Sequence, residues 1–201
     1  MMMRRMLRST AGAGAAEFAL VLPLLVLLLF GIIDVGRWLW AYNQATKATQ
    51  MGARMAVVTD YLSTSVGASY VNVTCGGTTL TQGDNIPAAC LTDVTCTRAG
   101  GCTPGAEVAN YNAKFDGIVA KMQAFMRPTT RLQATNVTIE YSQSGLGYAG
   151  NPDGADLAPI VTVRLSGLQF RPLITLAMVT MDMPEFHTSL TFEDGTGGQS
   201  N

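Results

Sequence analysis

The sequence predicts an α+β protein, in which a long N-terminal transmembrane helix continues into a periplasmic domain with a small antiparallel sheet and a second helix. Three observations carry this expectation. Residues 18–33 read FALVLPLLVLLLFGII, with no charged side chain. Proline is absent between Pro23 and Pro87, so a helix begun in that run has room to continue. Beyond residue 135 the apolar period shortens to two, the mark of half-buried strands. Composition agrees: 48% of the 201 residues are hydrophobic and only 13% are charged. Soluble domains carry about 25% charged residues. A net charge of -1 without a Lys/Arg block excludes a nucleic-acid partner, and a single His argues against a histidine-rich metal site.

The first element is the membrane segment. Ala13 to Ile33 contains one charge, Glu17. As a helix it would be about 31 Å long, close to the thickness of a bilayer's hydrocarbon core. Arg4, Arg5 and Arg8 precede it with no acid before Glu17, which places this end in the cytoplasm. A cleaved secretory signal has the same outline, but here the small residues Ala11–Ala16 lie before the apolar run. After it come Trp38, Trp40 and Tyr42, suited to an interfacial aromatic belt. Glu17, an ionisable group at the edge of an apolar helix, is a functional candidate.

The helix continues as an amphipathic element to about Val58. Val35, Trp38, Tyr42, Ala45, Gly52 and Met55 recur mostly at three- or four-residue spacing. Straight, Ala13–Val58 would measure about 69 Å. Pro23 is a candidate bend, and Gly31 and Gly36 allow a second helix to approach closely.

The outer domain follows, over residues 59–194. A strand is expected at Ala68–Cys75 and a glycine-rich loop from Gly76 to Gly105. Glu107 to Arg127 reads as the second helix, with Val108, Tyr111, Phe115, Ile118, Met122 and Phe125 on its apolar face and Pro128 as its stop. Strands are expected at Thr135–Tyr141, Pro159–Leu165 and Phe186–Phe192. Leu173–Met181 is apolar but too short to span a bilayer as a helix, so a buried strand or packed helix is expected there. Residues 195–201 read as a disordered tail.

Cys75, Cys90, Cys96 and Cys102 all lie on the outward side of the apolar run, and no CxxC pair occurs. In an oxidising compartment they predict two disulfides stapling residues 75–102 as one loop, with three pairings open. No site for catalysis or a cofactor emerges. His187 stands alone in a strand pattern, and Asp182, Glu185, Glu193 and Asp194 read as solvated edges. The glycines of 145–150 match GxGxxG in letters only, without the βαβ setting. The chain is expected not to be an enzyme and to need no cofactor.

The segment Arg8–Leu25, read as RSTAGAGAAEFALVLPLL, resembles the start of TadE-like proteins, as do Gly31–Arg37 and Ala48–Arg54. These are pilin-like components of the bacterial tight-adherence (Flp-type) pilus system. The resemblance implies that residues 1–12 are a leader ending at Gly12 and removed before Ala13 by a prepilin peptidase, although Gly14 offers a second glycine. Glu17 and Phe18 would be the fifth and sixth mature residues. Phe18 departs from the major pilins, which tend to have Tyr there. Residues 13–58 would form the shared helix, with Glu17, Pro23, Gly31, Asp34, Gly36 and Arg37 serving assembly.

The implied function is that of a minor pilin or pseudopilin in pilus assembly or priming. Its partners would be other pilin-like subunits, the inner-membrane secretion machinery of that system and the lipid bilayer. The implied location is single-pass in the inner membrane, with incorporation into the extracellular pilus as a further step. The alternative from the residues alone is a membrane-anchored periplasmic binding module unrelated to pili.

Overall fold

A computed structural model describes residues 13–90, 92–126, 131–152, 155–173 and 180–192. The leader 1–12 with Gly12 and the basic residues Arg4, Arg5 and Arg8, the stop at Pro128, most of Leu173–Met181, Glu193, Asp194 and the tail 195–201 lie outside these.

Helix α1 is continuous over Ala13–Val58 and includes Pro23. The chain divides into two units, Met1–Trp40 with Arg171–Met181, and Ala41–Phe170 with Asp182–Asn201. In the second unit the buried face of α1 is a seam of Ala41, Ala45, Ala48, Gly52, Ala53 and Ala56. The bulky residues expected on that face fall largely off it: Tyr42 is exposed and Met55 only half-buried. Small side chains let the helix backbone approach its neighbours. At Gly52 an added Cβ would meet Met122 Sδ at 2.7 Å, tighter than ordinary van der Waals contact, so only a residue without a side chain fits unless Met122 moves.

The main sheet has the strands β3 (Val94–Thr97), β4 (Gly101–Thr103), β5 (Val137–Ser142), β6 (Ile160–Leu165) and β9 (Phe186–Thr191) in the antiparallel order β4-β3-β5-β6-β9. One face carries Val94, Cys96, Val137, Ile139, Tyr141, Val161, Val163, Leu165 and Phe186, all buried. On it Thr188 Oγ1 donates to Thr49 Oγ1 of α1 at 3.3 Å, and the Tyr42 ring meets Phe186 edge-on at 5.0 Å. The other face is polar: Arg164 pairs with Glu140 at 2.8 Å and Glu185 at 2.9 Å, and His187 is exposed.

The strands read from period-two alternation at 135–141, 159–165 and 186–192 are present as β5, β6 and β9. Two other expectations change. Ala68–Cys75 is not one strand: Asn72 has φ 64°, which breaks extended pairing. Only Thr74–Cys75 (β1) pairs, with Thr78–Thr79 (β2), across Gly76 and Gly77, both at positive φ as a two-residue hairpin turn requires. The expected loop at 76–105 contributes two strands, β3 and β4, to the main sheet.

The second helix, α2, is Tyr111–Gln123, shorter than read from sequence. Residues before it are pulled into pairing instead: Ser63 bridges Glu107, the Val108 N–H donates to Leu62 O at 3.2 Å, and Asn110 turns left-handed at φ 61°. Tyr111, Phe115, Ile118, Val119 and Met122 are its buried side chains, while Phe125 is exposed. A further short pair joins β7 (Gln169–Phe170) and β8 (Met181–Asp182), where Gln169 Nε2 donates to Asp182 Oδ1 at 3.3 Å.

Both disulfides form between neighbours in sequence, Cys75–Cys90 and Cys96–Cys102. They do different work. Cys96 and Cys102 are register partners across β3 and β4, so their bond lies within the sheet. Cys75–Cys90 closes the segment carrying the β1–β2 hairpin, outside the main sheet. Chain-entropy reasoning gives about 3 kcal/mol for a closed loop of roughly 15 residues and about 2 kcal/mol for one of roughly 6.

Asp156 replaces strand pairing as the tie for residues 69–70. It is buried and accepts from Tyr70 N–H at 2.6 Å, Ser69 Oγ at 3.2 Å and Asn151 N–H at 2.9 Å. Burial pushes its carboxyl up, but the N–H groups of Gly150, Tyr70 and Asn151 and the Ser69 hydroxyl outweigh this and hold it below the usual range.

Two outcomes follow from these ties. A depressed carboxyl stabilises the fold above its unfolded pKa of about 3.9, and that contribution is lost as pH falls through the folded value. Urea unfolding of the full chain in detergent should therefore show stability dropping below about pH 4, with a flatter acid dependence in Asp156→Asn. Secondly, reduction should open residues 72–90 before β3, because β3 keeps its ladder to β5. Hydrogen-exchange mass spectrometry of the reduced chain should show faster exchange in 72–90 than in 94–97, and Cys75→Ser/Cys90→Ser should cost about 3 kcal/mol.

Candidate membrane and assembly helix

From Gly14 to Phe30, α1 is built from residues that no described part of the chain buries. Every described side chain from Gly14 to Phe30 is exposed, Phe18 at 65%. Only 6% of the most apolar stretch is buried, and α1 alone among the described helices is long and apolar enough to cross a membrane. An unburied stripe of leucines all round a helix is the pattern of a segment solvated by lipid. The helix supports a single-pass membrane topology.

Ala13 is the first residue of α1. Glu17, one turn later, is exposed and makes no hydrogen bond or ion pair to any described residue. Pro23 lies inside the helix, where its ring removes one backbone donor. Gly31 is half-buried, and Gly36 is exposed with nothing within 4 Å of an added Cβ.

Asp34 and Arg37 are occupied differently from a pair of free docking handles. Asp34 is 8% exposed, and its two carboxylate oxygens each lie 2.8 Å from the Leu173 N–H. Arg37 Nη1 donates to Asp34 Oδ1 at 2.9 Å and also reaches the Arg171 carbonyl at 3.5 Å. A carboxylate at the end of an apolar helix is costly unless its lone pairs are satisfied. Here a guanidinium and a backbone amide satisfy it together. The pair closes a clamp on Arg171–Leu173, a segment far away in sequence. Sequence reasoning picked out both residues but not this role, because nothing local marks a partner 139 residues away. The other candidate positions, Glu17, Pro23, Gly31 and Gly36, are spread along one helix and do not converge on a site. The described residues contain no cluster of His, Cys, Asp or Glu able to hold a metal.

Asp34→Ala should free the Leu173 amide. A hydrogen bond to a charged group contributes about 1.5–3 kcal/mol, so exchange at Leu173 should accelerate about 10- to 100-fold. Arg37→Ala should do less, because Asp34 keeps both contacts to Leu173 N–H. Amide exchange by NMR on the labelled protein in nanodiscs reads both.

Comparison with known proteins converges on this helix. Residues 12–54 match the family model described as TadE-like protein. The match ends inside α1 and takes in no strand of the sheet. No curated protein and no solved structure matches the chain. Over residues 12–54 the chain is similar to TadE-like proteins.

Proposed function

We propose that the protein is a minor, pilin-like subunit acting in assembly or priming of a bacterial tight-adherence (Flp-type) pilus through helix-mediated docking. The TadE-like match and the apolar helix support a membrane-associated accessory role. The observation that carries the finer reading is their coincidence: the family match falls on α1, whose described side chains from Gly14 to Phe30 are all exposed. A side-chain surface of that kind suits lipid before assembly and neighbouring helices after it.

In this reading residues 1–12 face the cytoplasm, α1 crosses the inner membrane, and the domain from residue 59 stands in the periplasm. A prepilin peptidase cuts between Gly12 and Ala13, where a small residue before the scissile bond lets the leader enter the protease. The cut creates an amine on Ala13. Glu17, without a described partner, then accepts the amine of a neighbouring subunit. A lone charge in an apolar bundle is expensive, so the pair rewards correct stagger between helices. Open space beside Gly36 leaves room for a neighbour's backbone. Asp34 and Arg37 contribute indirectly, by fixing Arg171–Leu173 to the helix. The protein is a peptidase substrate and a structural subunit, not a catalyst, and its partners are pilin-like subunits and the inner-membrane secretion machinery.

The test is N-terminal mass spectrometry of membrane-retained protein with and without the prepilin peptidase. The expected mature terminus is Ala13, dependent on the peptidase. Gly12→Phe should abolish cleavage. Glu17→Gln should leave residual cleavage but reduce co-purification of partner subunits. An intact Met1 terminus, or a cut after the apolar run near Trp40, would overturn the proposal.

A further inference from the structure

Leu173 is the unexplained residue of the first unit. It is a large apolar side chain, 57% exposed, yet its amide is held by a buried carboxylate. A clamp of that quality on an exposed turn fixes a position along the helix. We infer that Arg171–Leu173 is a second membrane contact, a short interfacial foot resting on the lipid surface where α1 leaves the bilayer.

The argument begins with depth. If Ala13–Ile33 fills the hydrocarbon core, Asp34 lies at its outer boundary, since each residue advances about 1.5 Å. The Leu173 N–H is 2.8 Å from both Asp34 oxygens, which sets Leu173 at that same level. Chemistry at that level matches a headgroup zone. Trp40 is 63% exposed, and Val35 and Leu39 are exposed beside it in sequence. Arg37 reaches the Arg171 carbonyl, and the exposed Arg171 adds a second cationic side chain to this segment, of a kind suited to lipid phosphates. Arg37 is already paired with Asp34, which leaves the Arg171 side chain to supply the cationic contact. The chain carries no charge from Leu173 through Met181, so the foot leads into apolar sequence. Aqueous solvent would leave Leu173 and Trp40 as unrewarded apolar surface, whereas an interface about 5–10 Å deep takes them both.

The occupant is therefore the bilayer, continuous with the lipid that surrounds α1. This inference rests on the membrane-spanning reading of that helix. It gives the clamp a purpose: two attachment points limit rotation of the chain about the helix axis, which one span alone does not.

Spin labelling of the full chain in nanodiscs containing anionic lipid tests this. All four native cysteines are paired, so one introduced thiol is labelled selectively. Labels at Leu173→Cys, Leu25→Cys and Leu146→Cys are compared by accessibility to oxygen and to a water-soluble nickel complex. Leu146 is the exposed reference in the second unit. The expected result is oxygen favoured at Leu173, at a depth between those of Leu25 and Leu146. Asp34→Ala should shift the Leu173 label toward the Leu146 value. A Leu173 label as nickel-accessible as Leu146, with Leu25 still in lipid, overturns the foot alone. Low accessibility to both reagents at Leu173 overturns it too, because protein then covers the residue. Nickel access at Leu25 overturns the membrane-spanning reading and the foot with it.

Discussion

One helix has to satisfy two surroundings without a break, and its residue sizes change to do so. From Gly14 to Phe30 α1 presents leucine, valine and phenylalanine on all sides. From Ala41 onward the buried seam is mostly alanine, joined by Gly52, Thr49 and Val57, and no aromatic side chain lies on it. Lipid rewards apolar volume in any direction, whereas a packed sheet rewards close backbone approach on one face. An aromatic seam would hold the helix further from Met122 and open space in the core. Alanine also carries the best helix propensity, which helps a helix of this length stay continuous.

What was legible in the sequence follows from how each element is stabilised. β5, β6 and β9 are six-residue strands whose inward positions are mostly apolar, with Val137, Ile139 and Tyr141, Val161, Val163 and Leu165, and Phe186 and Leu190, so each carries a clear period of two. β3 and β4 are only four and three residues long, and they sit among glycines that read as loop. The signal was present in Val94-Thr95-Cys96-Thr97, which alternates buried and half-buried, but a run so short competes poorly with flanking breakers. The early end of pairing at Asn72 depends on a backbone conformation that Asn permits without announcing. α2 begins late because Glu107 and Val108 are taken by Ser63 and Leu62, a tertiary competition that helical periodicity does not contain.

The membrane helix was legible because hydropathy is a sum over many residues, and no single contact decides it. The seam beyond it was misread for the opposite reason. Periodicity weighted Tyr42 and Met55 by their bulk, while the structure selects positions by how near a backbone can come. Asp34 and Arg37 stood out as charges at a helix boundary, but the clamp needs the amide of Leu173. A backbone donor has no signature in sequence, so residue type alone led to a docking handle where geometry gives an internal tie.

The pairing of the cysteines has a consequence for the order in which the molecule is made. Each bond joins a cysteine to the next one along the chain, across 15 and 6 residues, and neither encloses the other. A chain that emerges N-terminus first presents Cys75 and Cys90 before Cys96 exists to compete. Oxidation in order of appearance yields the native set directly, and no earlier bond has to be reopened by thiol exchange. The covalent framework can thus be complete before β5, β6 and β9 are available to form most of the sheet, and those strands assemble onto an edge whose crosslink is already in register.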